Sequence, residues 1–168
     1  MKTVGKQKNS KMCFICGLDN EFGVRAQFHN MADGSVATLF KYDARHQSFP
    51  GRVHGGLIAS MIDELGLRGL WSYEGGEDNF GVTMRLETQF RKPVPYGEQL
   101  LGVGKIVKRM SRFFVVESKI YDLNGETLAS GSTNYIRLDV GKIAEGTSVH
   151  DEMCYLIEDD VTDIDIPE

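Results

Sequence analysis

The chain has 168 residues, of which 41% are hydrophobic and 26% charged, and its formal net charge is −5. These values are ordinary for one soluble folded domain, and they argue against a dedicated nucleic-acid binder, which would usually be basic. The sequence contains no apolar stretch that approaches a membrane span or a signal peptide, and three cysteines suit a reducing compartment. We therefore expect a cytoplasmic protein with neither a nucleic-acid nor a membrane partner.

The charge is concentrated at the two ends of the chain. Residues 1–11 hold four lysines and no acid, whereas residues 151–168 hold eight acids and no lysine or arginine. Blocks of like charge at chain ends are usually solvated. We therefore predict a basic N-terminal tail at 1–12, one folded domain at 13–140 and an acidic C-terminal tail at 141–168.

Alternating hydrophobicity predicts two strands early in the chain. In the stretch FGVRAQF, the apolar residues at 22, 24, 26 and 28 share one face, and the stretch SVATLFKY follows after an Asp-Gly turn. The next stretch, 43–53, has the composition of a loop and is closed by Pro50-Gly51.

One long helical pattern follows, GGLIASMIDELGLRGLWSY at 55–73, and apolar residues nearly encircle it, which predicts a buried helix. Four strand patterns come next, at 81–92, 99–110, 112–123 and 126–138. Asn124-Gly125 joins the last two and is a strong hairpin signal. This order predicts an α+β fold in which an antiparallel meander curls around one helix, with open edges that favour dimerisation.

Two carboxylates lie inside this apolar helix. Glu64 precedes Arg68 by four residues, the favourable order for a helical ion pair, so we interpret it as structural. Asp63 has only small or apolar residues one turn away. Burial without a partner is costly and raises the pKa of a carboxyl group, which suits a general base or a nucleophile. The alternative is that Asp63 bonds to the backbone elsewhere in the fold.

His54-Gly55-Gly56 comes directly before the helical pattern. The first N–H groups of a helix have no partner within it and lie at the positive end of its dipole, so they can hold an oxyanion. Glycines let a ligand approach such a backbone closely. The alternative is that the glycines only turn the chain into the helix and that His54 is an ordinary loop histidine.

The stretch that contains these residues, 46–63, resembles the PaaI-type acyl-CoA thioesterases of the hot-dog fold superfamily; it reads HQSFPGRVHGGLIASMID. Their pattern is His-Gly-Gly followed, nine residues after the histidine, by Asp or Glu, here His54, Gly55, Gly56 and Asp63. The resemblance extends over about residues 13–138. It implies a hot-dog fold, hydrolysis of an acyl-CoA thioester without a cofactor, and active sites between the subunits of a homodimer or a dimer of dimers.

The resemblance also implies roles for single residues. Gly55 of one subunit would polarise the thioester carbonyl, and Asp63 of the other would activate water or attack directly. Thr83 lies where relatives often have a serine that helps to position the nucleophile. Many relatives have an asparagine six residues before the motif histidine, where this chain has Ser48 beside Gln47; either side chain could bond water instead.

Coenzyme A would need cations for its phosphates. The candidates are basic residues near predicted strand ends, although an ordinary charged rim is the alternative for each of them: Arg91, Lys92, Lys105, Lys108, Arg109 and Arg112.

Two other functions stay open at this point. A non-catalytic acyl-CoA or lipid-binding module could use the same fold, although retention of both His-Gly-Gly and Asp63 favours the enzyme. Acyl-carrier dehydration on this fold uses a histidine with a glutamate fourteen residues later, and counting from His46 reaches Ser60, which disfavours that reaction.

The cysteines could also serve a structural purpose. Cys13, Cys16, His150 and Cys154 together would make a Cys₃His zinc set that joins the two ends of the chain. The two pairs are more than 130 residues apart, and packed or solvated thiols are the simpler interpretation. We therefore predict no metal site.

Overall fold

The structure is a computed structural model that describes residues 1–74, 76, 80–144 and 148–167. The strands in these residues are β1 (Thr3–Lys6), β2 (His29–Met31), β3 (Val36–Lys41), β4 (Gly81–Phe90), β5 (Gln99–Arg109), β6 (Phe113–Tyr121) and β7 (Thr127–Arg137). The helices are α1 (Gly55–Glu74) and α2 (Val149–Glu152), with short 3₁₀ turns at Ala44–His46 and Val140–Lys142.

The strands form one antiparallel sheet in the order β1-β2-β3-β5-β6-β7-β4. Helix α1 packs against the strands from β2 to β7, so the sheet curls around it. The α+β hot-dog arrangement is thus confirmed, and the helix begins at the residue that the sequence predicts. The Asn124-Gly125 hairpin is also present, with Gly125 at a φ of 83°.

The predicted meander is wrong in the placement of β4. Strands β5, β6 and β7 do pair in chain order, but β4 pairs with β7, from Gly81 opposite Arg137 to Phe90 opposite Ala129. β5 pairs instead with β3. The physical reason lies in residues 91–98, where Pro93 and Pro95 interrupt the strand and prevent a tight turn back onto β4. β4 therefore forms one edge of the sheet.

The segment FGVRAQF follows its predicted alternation only in part. Val24, Ala26 and Phe28 are buried, but Phe22 is exposed and no strand forms at 22–28. The N–H groups of Val24 and Ala26 donate instead to the carbonyls of Phe14 and Ile15, at 3.0 and 2.9 Å. The N-terminal segment thus provides the hydrogen-bond partners that a sheet neighbour would have provided.

The buried face of α1 includes an ion pair between Arg68 and Glu64. Arg68 is 1% exposed, and its Nε donates to Glu64 Oε1 at 2.9 Å, which confirms the predicted ion pair. The guanidinium also lies over the rings of Phe28 and Trp71, at 4.8 and 4.5 Å from their centroids. No helix in the described part of the chain combines the length and apolarity needed to cross a lipid bilayer.

The two charged ends of the chain are packed together, whereas the sequence suggested that each end is a solvated tail. β1 pairs with β2, and the N–H of Thr3 donates to the carbonyl of Thr162 at 2.9 Å. Asp159 forms ion pairs with Lys6 and His29, and Ile164 is buried against the sheet in a cluster with Met31, Ala37, Leu101 and Tyr121. Opposite charge and apolar burial together hold the two segments in place.

Candidate active site

Asp63 lies in the third turn of α1, half-buried, where two hydroxyl groups meet it. Thr83 Oγ1 donates to Asp63 Oδ1 at 2.7 Å. The Tyr135 hydroxyl contacts the same Oδ1 at 3.2 Å and the backbone carbonyl of Asp63 at 2.5 Å. Within the described residues, hydroxyl groups and not cations are therefore the hydrogen-bond partners of this carboxylate. The structure brings Thr83 and Asp63 together, as the resemblance implied.

The pairing of β4 with β7 brings the two hydroxyls to one place, because Thr83 lies directly opposite Tyr135. The Tyr135 ring stacks on Phe114, with ring centroids 4.7 Å apart. Gly66, nearly one turn after Asp63, lets this ring approach the helix, since a Cβ at this position would lie 1.9 Å from the Tyr135 hydroxyl oxygen. The close approach therefore requires glycine.

The pKa values of Asp63 and Tyr135 are both raised in this site. Burial raises the pKa of Asp63, the hydrogen bonds from Thr83 and Tyr135 oppose this rise, and the nearby Glu64 adds to it. Burial and the charge of Asp63 raise the pKa of Tyr135 well above its usual value. Tyr135 therefore remains a protonated donor at neutral pH.

The start of α1 is capped by His54. Its carbonyl accepts from the N–H groups of Leu57 and Ile58, at 3.0 and 3.3 Å, and its exposed ring accepts at Nδ1 from the N–H of Gly56 at 3.0 Å. The side chain of Phe90 lies 3.5 Å from the position that a Cβ on Gly55 would occupy. The helix start thus lies beside the C-terminal end of β4.

Gly55 and Asp63 are too far apart in one chain to act on the same carbonyl. They are separated by eight residues of continuous helix, which corresponds to about 12 Å along the axis. Asp63 contacts the beginning of β4 through Thr83, and Gly55 lies near its end through Phe90. The two halves of the expected site therefore lie toward opposite ends of one edge strand.

Ser48 and Gln47 lie in the exposed loop before α1. The N–H of Ser48 donates to the Arg52 carbonyl at 2.8 Å, and Gln47 Oε1 accepts from the Tyr96 hydroxyl at 2.9 Å. These contacts fold the loop back on itself next to the helix start, so both residues belong to the Gly55 end of the expected site.

The expected coenzyme A contacts fall into separate groups. Arg91 follows β4 at the Phe90 end, where it donates to Gln89 and Ser130 at 2.9 and 3.3 Å. Lys92 pairs with Glu126, and Lys105 pairs with Asp33. The exposed residues Lys108, Arg109 and Arg112 lie around the β5–β6 turn, at the end of the sheet where β4 begins.

The Cys₃His set that was the alternative to packed or solvated thiols does not form among the described residues. Among the described residues, the group of potential metal ligands that contains Cys13 and Cys16 is completed by Glu64. His150 and Cys154 are exposed, in and just after the short helix α2. The reason is that the C-terminal segment runs past the N-terminal one as extended backbone, with Tyr155 paired to Asn9, and this places Tyr155 and not a thiol at the crossing.

Sequence reasoning missed Tyr135. Its strand was predicted correctly, but Tyr135 becomes a candidate site residue only because it lies opposite Thr83. A buried tyrosine generally needs a hydrogen-bond partner for its hydroxyl, so a buried tyrosine in the last strand was the available signal. The pairing of β4 with β7 was needed to interpret it.

The fold agrees with comparisons to known proteins. The sequence model of the thioesterase superfamily matches residues 50–129, which include the helix and β4. Acyl-coenzyme A thioesterase THEM4 of Rattus norvegicus is 28% identical over 139 residues, 82% of this chain and 58% of that protein. The chain thus spans less than two thirds of that relative's length.

Solved structures show the same architecture. A crystal structure of a thioesterase superfamily protein matches with a TM-score of 0.67 at 25% identity, over 74% of this chain and 59% of that one. PaaI of E. coli matches with a TM-score of 0.56 at 17% identity, over 62% and 73%, and shows the fold alone. The chain has the hot-dog fold and is similar to members of the thioesterase superfamily.

Proposed function

We propose that the protein hydrolyses acyl-CoA thioesters, with Asp63 as the reacting carboxylate. One water is consumed, the bond between the acyl carbon and sulfur breaks, and a carboxylic acid and the thiol of coenzyme A are released. Asp63 either accepts the proton of the attacking water or attacks the acyl carbon itself. The relative named above is called an acyl-coenzyme A thioesterase, which supports this substrate class.

The observation that carries the proposal is the environment of Asp63. A half-buried carboxylate on an apolar helix is costly, and here Thr83 and Tyr135 orient it without neutralising it. A cation would lower the pKa of the carboxyl group and reduce its basicity, whereas hydroxyl donors leave the charge available. Such an arrangement serves a group that must react, and a purely structural role would not require it.

The other half of the site is the start of α1 in a second subunit. The N–H of Gly56 is engaged by His54, so we assign the oxyanion role to the N–H of Gly55, at the positive end of the helix dipole. His54 caps the helix and orients this turn. Two antiparallel copies of β4 across a two-fold axis would bring Thr83 and Asp63 of one chain toward Phe90 and Gly55 of the other.

Coenzyme A would then lie across the interface formed by the two copies of β4, with its phosphates among the basic residues at the two ends of β4. In such a dimer, Lys108, Arg109 and Arg112 of one chain approach Arg91 of the other. Ser48 and Gln47, beside Gly55, would contact the attacking water or the acyl group. These proposed contacts suit an acyl thioester of coenzyme A, and in this proposal the depth of the interface between the subunits sets the length of the acyl chain.

The test is thiol release from a panel of short, long and aromatic acyl-CoAs, with wild type compared with Asp63→Asn. The substitution keeps the size of the side chain and removes its charge. We expect turnover by wild type and a loss of at least about a hundredfold in the variant, because a positioned base typically contributes that much or more. Size-exclusion chromatography and circular dichroism establish that both proteins have the same assembly and fold.

Two outcomes would contradict the proposal. Turnover that survives Asp63→Asn would remove Asp63 from the chemistry. Saturable acyl-CoA binding by both proteins, without thiol release from any substrate, would instead identify a non-catalytic acyl-CoA-binding module on the same fold.

A further inference from the structure

We propose that Cys13, Cys16 and Glu64 form a binding site for a thiophilic divalent metal ion such as Zn²⁺. One ligand atom from each of the three residues lies within 4.8 Å of the other two. Two thiolates and a carboxylate oxygen are donors that zinc accepts, and a three-residue set leaves a fourth position for water. This site is separate from the proposed thioesterase function.

The turn at Cys13-x-x-Cys16 is built to hold a sulfur as an acceptor. The backbone N–H groups of Ile15 and Cys16 both approach Cys13 Sγ at 3.4 Å, and Ser10 Oγ lies 3.5 Å from Cys16 Sγ. The turn is so tight that a Cβ on Gly17 would lie 2.4 Å from the Cys13 carbonyl oxygen. The two N–H groups fix the position of the Cys13 sulfur, and two cysteines separated by two residues have a spacing typical of zinc sites.

Glu64 is oriented for coordination by the buried arginine one turn further along α1. Arg68 Nε donates a hydrogen bond to Glu64 Oε1 at 2.9 Å, while Glu64 Oε2 lies 3.8 Å from Cys13 Sγ. Arg68 is fixed in turn by Gln7 Oε1 at 3.3 Å and the Lys8 carbonyl at 2.7 Å. Carboxylates that bind metals characteristically have an outer partner of this kind, so Arg68 is a positioning residue for the site.

The charges agree with a divalent occupant. Two thiolates and the Glu64 carboxylate carry three negative charges, and the Arg68 guanidinium supplies one positive charge, so a divalent cation makes the group neutral. Neutrality matters here because Cys16 is 2% exposed and Arg68 is 1% exposed, and a net charge at such depth is costly. Sulfur donors select zinc-like ions over magnesium or calcium.

A metal ion at this point would clamp the N-terminal segment to α1. Cys13 and Cys16 belong to the segment whose carbonyls hold Val24 and Ala26, and Glu64 is the neighbour of Asp63. Because the binding free energy of a structural metal adds to folding stability, the bound ion would stabilise the domain and fix the turn of the helix that carries Asp63.

The experiment uses the untagged 168-residue chain, stripped with a chelator and reduced, with its free thiols counted before metal is added. Co²⁺ is then titrated, and thiolate-to-cobalt charge-transfer absorption is recorded. We expect one cobalt per chain in wild type and in Cys154→Ser, a matched control because Cys154 is exposed and outside the group. The absorption should disappear in Cys13→Ser and in Cys16→Ser.

Glu64→Gln provides a second variant that leaves both cysteines in place. We expect it to keep charge-transfer absorption but to bind Co²⁺ at least about tenfold more weakly. The reason is that removing even a residue that only hydrogen-bonds to a metal ligand typically weakens metal binding by about tenfold or more. Zn²⁺ should displace cobalt and raise the unfolding temperature of wild type. Wild type with all of its thiols free and no charge-transfer absorption overturns the site, as does absorption that depends on Cys154. Neither result would affect the thioesterase assay.

Discussion

At the scale of single residues, the surroundings of Asp63 separate structure from chemistry. Glu64, the next residue, is neutralised by Arg68 in the favourable helical spacing. Asp63 is instead held by hydroxyl groups from two different strands. Neighbouring acids on one helix thus have opposite environments, because one points toward a buried arginine and the other toward β4 and β7.

Thr83→Val tests whether the hydroxyl contact matters to the reaction. Valine has nearly the same shape and suits a strand, and Thr83 is exposed, so the fold should persist. Removing a hydrogen bond to a charged group costs about 1.5–3 kcal/mol, which is roughly ten- to a hundredfold in kcat/KM. Steady-state thiol release from the best acyl-CoA substrate measures the effect.

Thr83→Ser is the matched control, since it keeps the hydroxyl and should retain most of the activity. If Thr83→Val and Thr83→Ser were equally active, the contact at 2.7 Å would be incidental to catalysis, and the role assigned to Thr83 would be withdrawn.

At the scale of elements, local pattern and long-range pairing differ in how well they can be predicted. Helix α1 and strands β4 to β7 follow from periodicity and turn residues, which are local. The position of β4 beside β7 depends on contacts between residues about 50 positions apart (Thr83 opposite Tyr135), and no local signal encodes it. Tyr135 was missed for the same reason, whereas the sequence motif was sufficient to propose Asp63 and Gly55 as candidates.

The packed chain ends show the same limit. Charge blocks at 1–11 and 151–168 suggested solvated tails, but the two blocks have opposite sign and are held by β1 and by Ile164. A single sequence shows the blocks separately and does not show that they meet. Asp159 is the centre of this contact, because it accepts from both Lys6 and His29.

Asp159→Asn should therefore destabilise the protein in a pH-dependent way. Hydrogen bonds from Lys6, Val161 and His29 outweigh burial and lower the pKa of Asp159 to about 2, below the ordinary value of about 3.9. A carboxyl group with a lowered pKa stabilises the folded state above its ordinary pKa and loses this effect as the pH falls toward the folded value. Wild type should thus exceed the variant in stability at neutral pH, and the difference should disappear between about pH 4 and pH 2.

Urea midpoints for both proteins across this pH range measure the difference. Asp160→Asn is the control, since Asp160 is the exposed neighbour of Asp159. A constant difference between wild type and Asp159→Asn at every pH would show that the Asp159 ion pairs do not stabilise the contact between the chain ends.

At the scale of the whole molecule, β4 is a long edge strand with exposed apolar side chains. Met84 is 59% exposed and Phe90 is 57% exposed, and exposed edges of this kind are usually covered by another chain. The separation of Gly55 from Asp63 along α1 adds a functional reason for a partner. The two observations together support the proposal made above, in which the protein functions as a dimer and each site takes residues from both chains.

Two inactive variants should therefore restore each other. Gly55→Pro removes the N–H at the first helical position, where proline is tolerated, and should lose about a hundredfold or more in kcat as an oxyanion donor is lost. Gly55→Ala keeps the N–H, and its Cβ would meet Phe90 at an ordinary 3.5 Å, so it should stay active. In a dimer of one Gly55→Pro chain and one Asp63→Asn chain, one site is intact, because its Asp63 and its Gly55 both come from unmodified positions.

Co-expression with two different affinity tags isolates this mixed dimer, and thiol release is compared with each parent variant. We expect roughly half of the wild-type activity per dimer, since one of two symmetric sites is complete. A mixed dimer as inactive as both parents, while a mixed dimer of wild type and Asp63→Asn stays active, would place Gly55 and Asp63 in the same site of one chain. The uninterrupted 20-residue α1 argues for the first result, because eight residues of helix separate Gly55 from Asp63.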